Sequence, residues 1–114
     1  MITIDAALDK AGLLKSCRVR GHAGAGPKGG DIVCAAVSVL TRTALRVLSR
    51  GEGITVRGTA PERGLVGMEI EYTGQGREFL SAVGAFLLEG LESVAGEYPD
   101  YCSIYILSEG LEEE

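Results

Sequence analysis

The chain has one histidine and three cysteines in 114 residues, and one cysteine follows the histidine across a glycine-rich stretch, "RGHAGAGPKGGDIVCAA", Arg20 to Ala36. A thiol is nucleophilic as its thiolate, and an imidazole can take its proton and later pass it to a leaving group. Brought together, His22 and Cys34 would form a dyad for acyl transfer, the chemistry by which a thiol cleaves a peptide bond. Each residue also has a plainer reading, because a free cysteine is commonly a small buried hydrophobe and a lone histidine needs no partner. Glycine before a helix can also cradle phosphate. However, "GAGPKGGD" departs from the G-x-x-x-x-G-K-[ST] loop, and Asp31 would repel an anion there.

For the dyad to assemble, a strand must deliver His22 and a helix must carry Cys34. Residues 2–8, "ITIDAAL", and the stretch "LLKSCRVRGH" both alternate, the second placing Leu14, Ser16 and Arg18 on one face and Lys15, Cys17 and Val19 on the other. The short "DKAG" between them predicts an antiparallel hairpin. Val33, Val37, Leu40, Ala44, Val47 and Leu48 recur at helical spacing and predict a helix from Asp31 to about Arg50, with Asp31 as N-cap and Gly51 as stop. "ITVRGT" and "LVGMEIEYTG", joined by "APERG", predict two further strands. Phe79, Leu80, Val83, Phe86, Leu87, Leu91 and Val94 mark a second helix from about Gly76 to Gly96, and "YCSIYIL" after Pro99 a last strand. The order ββαββαβ predicts one α+β domain over residues 1–114, two-layered, with two helices on one face of a mixed or antiparallel sheet. The uncovered face would stay partly apolar, which suggests a homodimer.

That arrangement assigns roles. With Asp31 as cap, Cys34 falls in the first helical turn, where unpaired N–H groups and the macrodipole favour the thiolate and could hold an oxyanion. Gly21, Gly24, Gly26, Gly29 and Gly30 would let the backbone close over a bound peptide. Asp31 either caps the helix or orients His22 as a third catalytic member. Ser38, one turn beyond Cys34, either contacts substrate or His22, or packs as a small residue beneath the site.

The composition narrows the class. With 46% apolar and 24% charged residues, the chain should fold as a globular domain. No apolar run reaches the ~18–20 residues of a membrane helix, and the first residues lack a leader's pattern, so neither a membrane nor an export signal is expected. Cys17, Cys34 and Cys102 form no Cys-x-x-Cys pair, so no closed zinc site is expected and free thiols in the cytoplasm fit best. The net charge of −5 speaks against direct nucleic-acid binding and suits a cationic polypeptide partner. The terminal "EGLEEE" is expected to be a solvated end.

The string "GHAGAGPKGGDIVCAAVSVLT" resembles the signature of the ribosomal-processing cysteine protease family, Prp, continuously from Gly21 to Thr41. The resemblance implies Cys34 as nucleophile and His22 as base, with Asp31 on the signature aspartate. It further implies a homodimer without metal or organic cofactor. Its implied substrate is large-subunit ribosomal protein 27, from which a short N-terminal extension is removed. The loop here is richer in glycine than that signature, and Cys17 and Cys102 have no counterpart in it. The alternative is a non-catalytic ribosome-assembly scaffold that binds the same basic segment, with Cys34 as a packing residue and the loop as a clamp.

Overall fold

The computed structural model describes residues 1–21, 28–62 and 65–109. The strands are β1 (Ile2–Leu8), β2 (Leu14–Gly21), β3 (Ile54–Glu62), β4 (Leu65–Tyr72) and β5 (Cys102–Ser108). The helices are α1 (Lys28–Ser49) and α2 (Arg77–Glu97), with a 3-10 turn at Gly74–Gly76 leading into α2. The strands form one five-stranded sheet in the order β3-β4-β2-β1-β5. β1 and β5 run parallel and every other neighbouring pair is antiparallel, so the sheet is mixed. The expected α+β architecture with both helices on one sheet face is what forms.

Alternation decides which face the helices cover. Ile2, Ile4 and Ala6 on β1, Cys17 on β2, Met68 and Ile70 on β4, and Cys102 on β5 are buried beneath Val33, Val37, Ala44 and Leu48 of α1 and Leu80, Leu87 and Leu91 of α2. Truncating one of these buried leucines to alanine is worth about 2–5 kcal/mol. By length and mean hydropathy alone both helices could cross a bilayer, but each lays its apolar stripe on the sheet instead. Two glycines set close approaches. A Cβ at Gly58 would come within 2.7 Å of the Leu45 side chain, so the bare position lets that leucine lie directly against β3. At Gly90 a Cβ would lie 3.1 Å from Leu40, which keeps the two helices close.

Three details differ from the sequence reading. Leu14 belongs to the core rather than to the face of Ser16 and Arg18, because the register shifts between Ala7 and Leu8: Ser16 pairs with Ala7 but Leu14 pairs with Leu8. Lys15 is the extra residue of this bulge, and such an insertion reverses the phase of every residue before it. Its ammonium reaches across to Glu109 beyond β5. The "APERG" turn is shorter than expected, since β3 continues through Pro61 to Glu62. Proline is tolerated there because β3 is an edge strand, where a missing N–H need not cost a ladder bond. The first helix also starts early, with consequences described below.

The β1–β2 turn is tied to β4 by one side chain. Asp9 accepts hydrogen bonds from the backbone N–H groups of Ala11 and Leu13 at 2.9 and 3.0 Å and from the Tyr72 hydroxyl at 2.5 Å. Burial works against the ionised Asp9 carboxyl, but Tyr72, the two N–H groups and the nearby Arg77 charge outweigh it and hold the carboxyl below its ordinary value. The same bond raises the value of the Tyr72 hydroxyl. A carboxyl depressed in the folded state contributes stability that is present above the unfolded value of about 4 and is lost as pH falls through the folded one. Tyr72→Phe should therefore lower Tm at pH 7 and do so progressively less on acidification, a trend measurable by thermal melts between pH 2.5 and 7. A penalty independent of pH would show that the bond does not depend on Asp9 ionisation.

Candidate functional site

The strand that leads to the site ends in a constrained residue. Gly21 closes β2 opposite Ile2 and has φ +92°, a conformation that side chains rarely adopt. A Cβ there would also stand 2.5 Å from the carbonyl oxygen of Met1. So the last described residue of β2, directly before His22 in the sequence, is at a position that requires glycine. His22, Gly24 and Gly26 themselves lie outside the described residues.

α1 begins at Lys28, not at Asp31. Gly29 and Gly30 are therefore helical residues rather than loop, and Asp31 lies inside the first turn, where it cannot be the N-cap. Glycine adopts helical φ and ψ as readily as loop conformations, at a cost of roughly 0.8–1 kcal/mol each relative to alanine. An acidic residue in a first turn also suits the positive end of the macrodipole. As a result, Cys34 sits in the second turn. In a regular helix that begins at Lys28, the N–H groups without helical partners are those of Lys28 to Gly30, while the N–H of Cys34 bonds back to Gly30. The helix-end argument for the thiolate weakens accordingly, because the dipole's influence fades beyond the first turn.

Cys34 is half-buried and packs against the edge of the core. It sits between the buried Val33 and the exposed Ala35, so it occupies the margin of the buried stripe. In a helix, side chains lean toward the N-terminus, which carries the thiol over the first turn. Ser38, one turn further on, is exposed and borders a small cavity of about 20 Å³ with Val19, Val37, Thr41, Arg42 and Val66. That slot has room for a methyl group or a water, between α1 and the core faces of β2 and β4. Thr41, otherwise buried, donates to the Val37 carbonyl at 2.8 Å, so no unpaired hydroxyl faces the slot from it. Sequence reasoning did not mark Val19, Val66 or Arg42, which come from three separate elements and share no motif.

The other cysteines are placed differently. Cys17 on β2 and Cys102 at the start of β5 are 0% and 2% exposed, and all three thiols are free. Burial, with a contribution from the Asp5 charge, pushes the Cys17 thiol up to about 11, and burial likewise raises that of Cys102. Among the described residues no group of three or more His, Cys, Asp or Glu is placed to hold a metal ion.

Two outcomes are expected from these placements. Gly21→Ala should destabilise the fold by about 1–3 kcal/mol, the usual range for forcing a side chain into such a backbone conformation, readable in urea unfolding. Iodoacetamide at pH 7.5 should modify Cys34 well before Cys17 and Cys102, which should react only on unfolding. Peptide mass spectrometry would reveal the order, and equal rates at all three would contradict the burial of the two core thiols.

The family described as cysteine protease Prp matches residues 1–103. The structure of SMU.848 from Streptococcus mutans superposes with a TM-score of 0.82 at 29% identity, covering 96% of each chain. The essential ribosomal processing protease Prp of Staphylococcus aureus in complex with a substrate peptide superposes at 0.79 with 19% identity, covering 93% of this chain and 99% of that one. Its complex with a covalently linked product peptide gives 0.78 at 20% identity, with the same coverage. No curated protein matches. With the Prp family covering nearly the whole chain, and the same fold in solved relatives, this protein belongs to the Prp family and is a cysteine protease.

Proposed function

We propose that this protein is an endopeptidase that uses a Cys34–His22 dyad to remove the N-terminal extension of large-subunit ribosomal protein 27 in the cytoplasm, acting as a homodimer. The observation that carries this reading is Cys34 at the half-buried margin of α1, with β2 ending one residue before His22. The thiol is sheltered enough to be held in one orientation and open enough to meet a polypeptide. The thiolate attacks the scissile carbonyl carbon, and His22 takes the thiol proton and returns it to the leaving amine. Water then releases the acyl group from sulfur, with His22 again accepting a proton. The unpaired N–H groups of the first turn lie on the side toward which the Cys34 side chain leans, so they suit the developing oxyanion. In this reading Asp31 supports the start of the helix and Ser38 contacts bound peptide.

Two properties support the substrate class. Relatives of the same fold in Staphylococcus aureus are ribosomal processing proteases bound to substrate and product peptides. The chain's net charge of −5 also favours encounter with the basic segment of a ribosomal protein.

The test is mass spectrometry of a peptide spanning the N-terminus of the host's own ribosomal protein 27. Wild type should make one defined cut, and Cys34→Ala should make none while keeping its circular dichroism and Tm. His22→Ala should lower kcat/KM by about 10²–10⁴-fold, the usual worth of a general base. Binding without cleavage by wild type would favour the scaffold reading. Near-normal turnover by His22→Ala would remove histidine from the mechanism.

A further inference from the structure

Four large apolar side chains are exposed on the described parts of the helix layer, and they fall in one line. Ile32 and Val39 on α1 are 54% and 63% exposed, and Phe79 and Phe86 on α2 are 41% and 75%. Each pair is seven residues apart, about two turns, so its members share a face. A Cβ at Gly90 would lie 3.1 Å from the Leu40 side chain and one at Gly51 2.8 Å from Phe79, so the helices run antiparallel. Gly90 therefore marks the side of α2 that faces α1, and Phe86, one turn away, shares that side. Leu40 marks the side of α1 that faces α2, and Val39 stands beside it, turned outward. Phe79, Phe86, Val39 and Ile32 thus follow one another along the outer seam, over about 28 Å at ~1.5 Å per residue. Single exposed hydrophobics are ordinary, whereas a contiguous apolar line marks an interaction surface.

This seam is apart from the cleavage chemistry. Cys34 and Leu45 are eleven residues apart, about three turns, so the thiol lies on the flank that Leu45 turns toward Gly58 of β3. The seam with α2 runs along the other flank of α1. Its two ends differ in charge. Arg46 of α1 and Arg50 just beyond it are exposed near the phenylalanines, while Glu89 and Glu97 of α2 are exposed near Val39 and Ile32. Among the described residues none of these four charges has an ion-pair partner.

We propose that the seam is a docking site for an amphipathic α-helix of a partner protein. That helix lies along the seam with its apolar stripe on Phe86 and Val39, its acidic end over Arg46 and Arg50, and its basic end over Glu89 and Glu97. Apolar residues two turns apart on both walls match the repeat that a third helix presents from its own stripe. The charges select among occupants. A polyanion would use the arginines alone and a cationic segment the glutamates alone, so neither fits the whole seam. A helix acidic at one end and basic at the other pairs with both ends, and in one direction only. Cleavage and docking then occupy different flanks of α1, so a docked partner leaves the thiol open.

Fluorescence anisotropy with the full chain tests the seam. The probe is a labelled three-heptad helical peptide with leucine at a and d, glutamates flanking its first half and lysines its second. It should bind saturably. Phe86→Asp and Val39→Asp should each weaken binding about tenfold or more, with circular dichroism and peptide cleavage unchanged. Arg46→Glu combined with Arg50→Glu should weaken this probe and strengthen a version carrying lysines in both halves, a switch that a damaged fold cannot produce. Absence of saturable binding, or binding indifferent to Phe86→Asp, would overturn the docking site. Sedimentation of wild type alone covers the other occupant: if Phe86→Asp reduces the sedimenting mass, a second copy of this chain holds the seam and the partner helix is excluded.

Discussion

The rotation of α1 about its own axis is the constraint on which the site depends. Val33, Val37, Ala44 and Leu48 are buried along one stripe of this helix, and Leu45 seats on the bare position of Gly58 in β3. With that stripe fixed, every other residue of α1 has a set exposure. Cys34, adjacent in sequence to the fully buried Val33, comes to rest at the margin of the stripe. A helix rotated by one residue would either submerge the thiol or turn it fully outward, since neighbouring positions lie about 100° apart. The packing that stabilises the fold is therefore the same packing that sets the exposure of Cys34.

β2 makes the second half of the arrangement and does so with both faces. Toward the helices it contributes Cys17 and Val19, the latter lining the slot beside Ser38. Toward the open side it contributes Ser16 and Arg18. The strand ends at a glycine that no other residue could replace without strain, which fixes where the chain departs toward His22. The bulge at Lys15 lets Leu14 join the core while the residues after it keep strict alternation. The helix layer that carries Cys34 and the open sheet face thus lie on opposite sides of one central strand.

The three cysteines show how environment separates identical groups. Cys17 and Cys102 face the core, where burial favours the neutral thiol and excludes reagents. Cys34 alone among them meets the surface. Their roles differ because of where the chain places them and not because of their chemistry.

Much of this was legible in the order of residues. Period-two alternation in "ITIDAAL" and the three- and four-residue recurrence from Val33 to Leu48 are local geometry, so the ββαββαβ order could be read directly. The spacing of His22 and Cys34 around glycine pointed to thiol chemistry because a thiol is a nucleophile and an imidazole a base near neutral pH. Other features were not legible because they arise between segments distant in the chain. The start of α1 at Lys28 escaped the pattern because glycine carries no side chain to signal helix or loop. The bulge that turns Leu14 inward depends on how β2 registers against β1, and the slot formed by Val19, Val66 and Arg42 depends on α1 lying across two strands. The sequence by itself determined which elements form and which residues can react. The tertiary structure alone decided which thiol is accessible, which sheet face stays open and which charged groups pair, because burial and pairing are properties of contacts between segments and not of the segments themselves.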